Sequence, residues 1–569
     1  MNRIRGQRAE NRGRNEIHLL LIFCLLSFVF CLLLTTGCEE FAKEEDFLEV
    51  KVKPEQTRVI DTLKLTAKAD ANNGIDINKP TENEITLSIE QCRAMTLKNN
   101  LDLKVQLIEP TIAAKQVSAE EAKFESSFFT NLAYNNINQP SVIVSQAQQY
   151  KSETADLGVQ VPLQTGGTVK FDLADNRTDI TSNVFDQSGN SIGKFSSVSY
   201  TPVTTFSISQ PLLRGAGKRV NTYSIRVLEY QRNITDAMTK LEVIRALANA
   251  DRGYWRLYAA RRLLEVRQQE YESAQAQLAQ TRRMVLLGEK AAVEETRSEA
   301  GVAERLNGII TAKKAMEDRQ RELKQIMNEA GLGVDSPAVV VPMTEPDPVR
   351  YEIDKQRLSA SAVENRMEML EVELQLAQDS STVDYYKNQT LPLVALDYTY
   401  NVNGIGTTRS DAYDMMYDRT SESHTVGMNL IVPLGNEAAK SRLLEAQYRK
   451  RQRLFTKENR RIQIEMEVLG AIEQLEANWQ SILAGRQNSI LAGRLYEAEK
   501  RQFVVGLRTA TDVLDAQAKF ANAQSAEILA LTEYQIAQID LAYATGTLLG
   551  AAKVRWEPIM PQRDTAARQ

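Results

Sequence analysis

Two stretches of this chain contain no proline: Leu212 to Ser336 and Leu434 to Glu557. Proline removes a helix-interior N–H and clashes with the carbonyl four residues back, so chain this long without it is free to run as uninterrupted helix. Both stretches are rich in Ala, Gln, Glu, Arg and Leu, and each holds a glycine at a point that reads as a reversal, Gly288 and Gly506. Arg219 to Leu287 and Glu437 to Val505 therefore read as long helices. Each would span roughly 100 Å at about 1.5 Å per residue. They return as shorter helices, Glu289 to Asn328 and Leu507 to Leu549. A hairpin of this kind cannot bury its apolar stripe alone and needs neighbouring helices or copies of itself.

The two reversals are related. Gly288 and Gly506 lie 218 residues apart, each with a base two residues on (Lys290, Arg508) and an acid six residues on (Glu294, Asp512). Upstream, Asn99-Asn-Leu-Asp-Leu103 matches Asn365-Arg-Met-Glu-Met369, and Tyr134-Asn135 matches Tyr400-Asn401, both at an offset of 266. Gln210-Pro-Leu212 matches Val432-Pro-Leu434 at 222, so the first copy carries 44 extra residues. The chain reads as an internal duplication.

Each copy begins with a helix (Ile89 to Phe124; Asp354 to Asn388), followed by a strand, Phe128 to Tyr134 or Leu391 to Tyr400. A polar loop leads to a second strand, Thr205 to Pro211 or Thr425 to Pro433. The extra length of copy one reads as a hairpin, Thr154 to Leu163 and Thr168 to Ala174 about the turn Gln164-Thr-Gly-Gly167. Asp175 to Tyr200, rich in Asn, Ser, Asp and Gly, reads as a long loop. That makes six strands per chain, or four if the extra hairpin lies outside the sheet wall. Apolar and polar residues alternate along them, as in a transmembrane barrel and equally in a soluble sheet with one buried face.

The N-terminus carries Arg3, Arg5, Arg8, Arg12 and Arg14, then the apolar run Leu19 to Leu34, then Thr35-Thr-Gly-Cys38. This is the pattern of a secretory signal. Thr35 to Cys38 resembles a bacterial lipobox, with threonine where leucine is usual, and the resemblance implies lipidation at Cys38. An uncleaved signal anchor is the alternative. Without its first 37 residues the chain holds 64 bases against 72 acids, a balance of −8, and no basic surface suited to nucleic acid. Residues 38–84 read as a linker, 85–335 and 336–552 as the two repeats, and 553–569 as a tail.

Only Cys92 lies in the body of the chain, so no disulfide framework is available. His424 is the one histidine beyond the signal segment, too few for a zinc site. Gly404-Ile-Gly406 lacks the strand-turn-helix setting of a nucleotide loop. No cofactor and no enzymatic activity are expected.

The second reversal, Gly506-Leu-Arg-Thr-Ala-Thr-Asp-Val-Leu-Asp515, continuing through Ala516 to Gln517, resembles the periplasmic tip of the TolC-like outer-membrane efflux proteins. The likeness covers about residues 85–552. It implies an α+β membrane protein whose long hairpins form a periplasmic α-barrel and whose amphipathic strands join a transmembrane β-barrel shared by a homotrimer. The partners implied are outer-membrane lipid, a periplasmic adaptor (membrane fusion) protein and an inner-membrane pump. By the same resemblance Asp512 and Asp515 match acidic rings at the tunnel entrance, and Arg508 matches the base that holds it shut. Glu294 falls where the first copy supplies the acidic partner. Phe503 stands at the latch tyrosine, without its hydroxyl, and Arg297 stands at the place of Asp515. The bland alternative makes these charges ordinary surface pairs worth about a kcal/mol or less. A different class, a lipid-anchored periplasmic coiled-coil adaptor or scaffold, would usually carry one long hairpin, not two.

Overall fold

A computed structural model describes residues 84–138, 147–185 and 191–555. The signal segment, Cys38 and most of the linker lie outside the described residues. Strand β1 (Glu84–Leu87) leads into helices α1 (Ile89–Asn99), α2 (Leu101–Gln106) and α3 (Glu109–Glu121). Strands β2 (Ser127–Asn138), β3 (Ala147–Pro162), β4 (Thr168–Phe185) and β5 (Ser191–Pro211) follow. A short helix α4 (Lys218–Asn221) opens the first long hairpin, α5 (Tyr223–Leu286) and α6 (Ala292–Met327). Then come β6 (Val339–Pro342), α7 (Lys355–Asn365), α8 (Met367–Gln389), β7 (Leu393–Asn403), α9 (Arg409–Tyr417) and β8 (Glu422–Ile431). The second hairpin is α10 (Glu437–Val504) with α11 (Ala510–Ala544), closed by α12 (Leu548–Ala551).

Three expectations need correction. The helix expected over Ile89–Phe124 is broken at Asn100, whose side chain accepts from Leu103 N (2.9 Å) and donates to Ile326 O (2.9 Å). The helix over Asp354–Asn388 breaks at Arg366, which turns extended and pairs with Glu368 and Glu467. In both, a polar side chain gains partners that a continuous helix would deny it. The loop expected over Asp175–Tyr200 is largely strand. Its polar residues pair across the sheet, as Arg177 Nη1 does with Glu153 Oε1 (2.7 Å) and Ser196 Oγ with Asp179 Oδ1 (2.9 Å).

The six longer strands form one antiparallel sheet in the order β2-β3-β4-β5-β7-β8. Its register puts Phe128, Val159, Phe171, Phe206 and Tyr400 opposite one another in a single row. The flanking rows of that face hold Leu157 and Leu173 on one side, and Ile208, Tyr398 and Val426 on the other. Because side chains alternate, the other face holds Asp156, Lys170, Asp172, Ser207, Thr399 and Thr425. Phe128, Phe171, Val426 and Met428 are more than half exposed on the apolar face. Strands β2 and β8 are the sheet's edges. Helix α9 rests against Gly404, where a Cβ would meet Ala412 O at 2.0 Å, so the Gly404-Ile-Gly406 run serves close packing.

The main helical core gathers Leu247, Leu257, Leu323, Met327 and Val340 around Tyr254. The Tyr254 hydroxyl donates to Leu87 O (3.0 Å) and accepts from Thr344 N (2.8 Å), tying the short parallel pair β1–β6 to α5. Beside it Arg93 grips Asp251 through two bonds of 2.8 Å, with Asp251 fully buried. Burial first, then the Asp251 charge, push the neighbouring Cys92 thiol up to about 12, leaving it a small inert side chain.

Candidate functional site

The expected site residues gather where the long hairpins reverse. Gly288 (φ 76°) and Gly506 (φ 84°) both adopt the left-handed conformation that a side chain would strain. Beyond each glycine the next N–H reaches back, Glu289 N to Met284 O (2.8 Å) and Leu507 N to Gln502 O (2.9 Å), which satisfies carbonyls at the helix end. Helix α11 then starts with a capping box. Thr509 Oγ1 accepts from Asp512 N (3.3 Å), and Asp512 Oδ2 accepts from Thr509 N (2.9 Å). The Thr509 N–H, then its hydroxyl, hold the Asp512 carboxyl below the usual aspartate value.

The first tip has no such box, since Ala291 stands at its N-cap. Its charges reach the second tip. Glu294 Oε2 accepts from Ala510 N (2.9 Å), the first residue of α11, and Oε1 accepts from Arg297 Nη1 (2.7 Å). A carboxylate on the orphan N–H groups of a helix start is favoured by hydrogen bonding and by the helix dipole together. Lys290 Nζ sits 4.6 Å from the centre of the Phe503 ring and 3.4 Å from Arg508 O. Phe503 is fully buried, packed with Ala510, Val513, Met284 and Tyr496. Its ring thus offers a face to an ammonium where the resemblance expects a hydroxyl.

Arg508 and Glu294 are not brought together. Arg508 Nε lies 3.0 Å from Glu499 Oε2, yet its N–H is aimed at Gln502 Oε1, also at 3.0 Å. Glu499 Oε2 is buried without an aligned donor, so charge and not a hydrogen bond holds it there. Asp515 is exposed on α11 and has no ion pair among the described residues. Above the tips, Arg305 Nη2 donates to Leu514 O (3.0 Å) and Gln517 Nε2 to Glu270 O (2.6 Å), continuing the seam between the hairpins. Sequence reasoning missed Glu499 and Gln502, two and one helical turns before the glycine, and it missed the exposed apolar crown. Leu286, Leu287, Val504, Val505 and Leu507 all face solvent at the tips.

An antiparallel sheet apolar on one face, joined to two long helical hairpins, is a fold shared with solved outer-membrane channels. The fold is that of the Campylobacter jejuni CmeC outer membrane channel, at a TM-score of 0.59 over 86% of this chain and 94% of that one, with 15% identity. CusC, crystallised in a study of transmembrane channel formation, matches at 0.59 over 80% and 92%, with 13% identity. Residues 358–547 match the family model described as outer membrane efflux protein. The outer membrane protein TolC of Escherichia coli (strain K12) is 23% identical over 335 residues, 57% of this chain. That alignment spans 66% of TolC, just under two thirds of its length. Over residues 358–547 the chain is similar to the outer membrane efflux proteins, and it resembles TolC.

Proposed function

We propose that this protein is a passive duct: three copies sharing a transmembrane β-barrel and a periplasmic helical tunnel, whose entrance is closed by the hairpin tips. The observation that carries the reading is the sheet register. In the rows nearest the helices it aligns apolar side chains of all six strands on one exposed face and polar ones on the other, with the charged Glu153, Arg177 and Asp179 on the first face further out, and it leaves β2 and β8 as open edges. In lipid an open edge leaves peptide groups unsatisfied, so the edges must pair with those of other copies.

The helices point the same way. Leu101, Val105, Ile108 and Ile112 form an exposed stripe at spacings of four and three, and Leu444, Tyr448, Phe455, Ile462 and Met466 form another along α10. These are seams that want a neighbouring helix. The second tip supplies Asp512 and Asp515 to the entrance, where like charges around a threefold axis would attract cations and repel anions. Arg508, Glu294 and Phe503 belong to the closure. The apolar crown of both tips is the surface for a periplasmic adaptor, itself coupled to an inner-membrane pump of a tripartite efflux or type I secretion system, and energy comes from that pump. Lipidation of Cys38 would anchor each copy on the same side as the hairpins. The chain itself needs no cofactor and performs no chemistry; a periplasmic adaptor would have no use for a wall of this kind. Outer-membrane fractionation, heat-modifiable gel migration and conductance in planar bilayers test the reading. A water-soluble monomer without conductance would end it.

A further inference from the structure

The 44 extra residues of the first copy contain β3 and β4, and two placements compete for them. They are either wall strands or an elaboration beyond the membrane. We propose that the β3–β4 hairpin is part of the lipid-embedded wall, so that each copy contributes six strands and three copies enclose an eighteen-stranded barrel. This rests on the proposed duct and deepens it.

Continuity of pairing is the first ground. Strand β3 pairs with β2 from Ser127↔Gln160 to Asn138↔Gln149, and β4 pairs with β5 from Thr168↔Ser209 to Phe185↔Ser191. The hairpin therefore separates β2 from β5 along their whole length and is the only route by which the sheet is continuous. The second ground is two-faced chemistry. Leu157, Val159, Phe171 and Leu173 fall on the apolar face, with Leu157 40% and Phe171 53% exposed. Gln160, Lys170 and Asp172 fall on the other, where Lys170 Nζ lies 3.0 Å from Asp172 Oδ1 and Asp172 is buried. A hairpin standing in water has no reason to keep one face apolar and uncovered. Strands between lipid and an aqueous lumen must do so.

The third ground is where the turn ends. Residues 163–167 lie at the helical end of the sheet, stitched to the root of the first long hairpin. Gly217 N donates to Thr165 O (2.9 Å), Thr165 Oγ1 donates to Gln210 Oε1 (2.8 Å), and a Cβ on Gly166 would stand 2.3 Å from Gly215 O. An elaboration outside the membrane would occupy the far end, near the β2–β3 and β4–β5 connections. This hairpin instead runs the full height of the sheet.

The consequence is functional. Barrel diameter grows roughly linearly with strand number, so eighteen strands give an exit about half again as wide as the twelve that four-stranded copies would build. The size limit on cargo then lies at the hairpin tips and not in the outer membrane.

Single cysteines in the full chain test the assignment, since the native Cys92 is buried and silent. Gln160→Cys and Lys170→Cys report the inward face of the hairpin, and Leu157→Cys and Phe171→Cys the outward face. Thr425→Cys (inward) and Met428→Cys (outward) on β8 serve as controls. In outer-membrane vesicles a membrane-impermeant methanethiosulfonate is expected to label the inward set at least ten times faster than the outward set. A lipid-soluble maleimide should react with the outward set. If Leu157→Cys and Phe171→Cys label as fast as Gln160→Cys and Lys170→Cys while the β8 controls still alternate, the hairpin lies outside the wall and the inference falls alone. If the β8 controls also label equally, the barrel falls and the proposed duct with it.

Discussion

Glu294→Ala should open the resting channel. In the structure, which the proposed duct makes its closed arrangement, Glu294 Oε2 accepts from the N–H of Ala510, a fully buried residue, at 2.9 Å. The carboxylate side chain is 11% exposed, so solvent screens it little. A hydrogen bond to a charged group contributes about 1.5–3 kcal/mol, and its loss leaves a buried donor without a partner. Taking about 2 kcal/mol per copy, the balance between parted and closed tips moves roughly 30-fold for one copy. If three copies open together the shift is on the order of 10⁴, enough to carry a population from about 1:99 to 99:1. Lys290→Met removes a weaker contact, the ammonium over the Phe503 ring at 4.6 Å. That is about 0.5–1 kcal/mol per copy, so the rise should be about two orders of magnitude smaller or more. Glu294→Gln keeps an acceptor without the charge and should fall between wild type and Glu294→Ala. The assay is resting conductance in single-channel bilayer recordings, with heat-modifiable gels confirming intact assembly. Should Glu294→Ala conduct like wild type while Lys290→Met opens the channel, the ordering derived from the tip geometry is wrong.

Arg508→Ala removes the charge 3.0 Å from Glu499 Oε2 and should also raise resting conductance; no rise would remove Arg508 from the closure. Asp512→Asn with Asp515→Asn should weaken block by multivalent cations, and an unchanged block would dismiss the acidic rings. In an Asp515→Asn background the block should persist as pH falls to the ordinary aspartate value of 3.8, because bonds from Thr509 depress the Asp512 carboxyl and keep it charged there. Loss of block above that pH would contradict the capping geometry. Asp251→Ala leaves the half-buried Arg93 without its partner, a loss of at most about 3–5 kcal/mol. Thermal dissociation or protease resistance should drop accordingly, and Arg93→Met with Asp251→Leu should recover most of it; a neutral single variant would show that the pair is not needed.

The long hairpins were legible because helix periodicity and the absence of proline are local properties of the chain, and Gly288 and Gly506 mark their own backbone conformation. Strand positions were legible where apolar and polar residues alternate, as over Phe128 to Tyr134. They were not legible over Asp175 to Tyr200, where the partners that hold the strand (Glu153 for Arg177, Asp179 for Ser196) come from other strands. The breaks at Asn100 and Arg366 were hidden for the same reason. Each is fixed by a distant group, the Ile326 carbonyl in one case and Glu467 in the other. At the tips the offset of 218 residues pointed to Lys290 and Glu294 but not to what they touch. A matching base and acid at two glycines invite the thought that each pair acts alike, and the structure places them differently.

In the proposed duct, that difference gives the two tips distinct tasks. Charges of the first tip are turned toward the second: Glu294 holds the start of α11, Lys290 covers Phe503, and Arg297 neutralises Glu294 from one turn away. An acid at position 297, like Asp515 at the matching place, would stand beside Glu294 and repel it, one turn apart on the same helix face. Arginine there binds one carboxylate oxygen at 2.7 Å while the other accepts from Ala510 N at 2.9 Å. The second tip, held from outside, has its own acids left for the solute. Asp512 is bound by its local box with Thr509, and Asp515 has no ion pair among the described residues. Two nearly matching hairpins can thus divide closing the entrance from selecting what enters it, and the sign of one residue, Arg297 against Asp515, records the division.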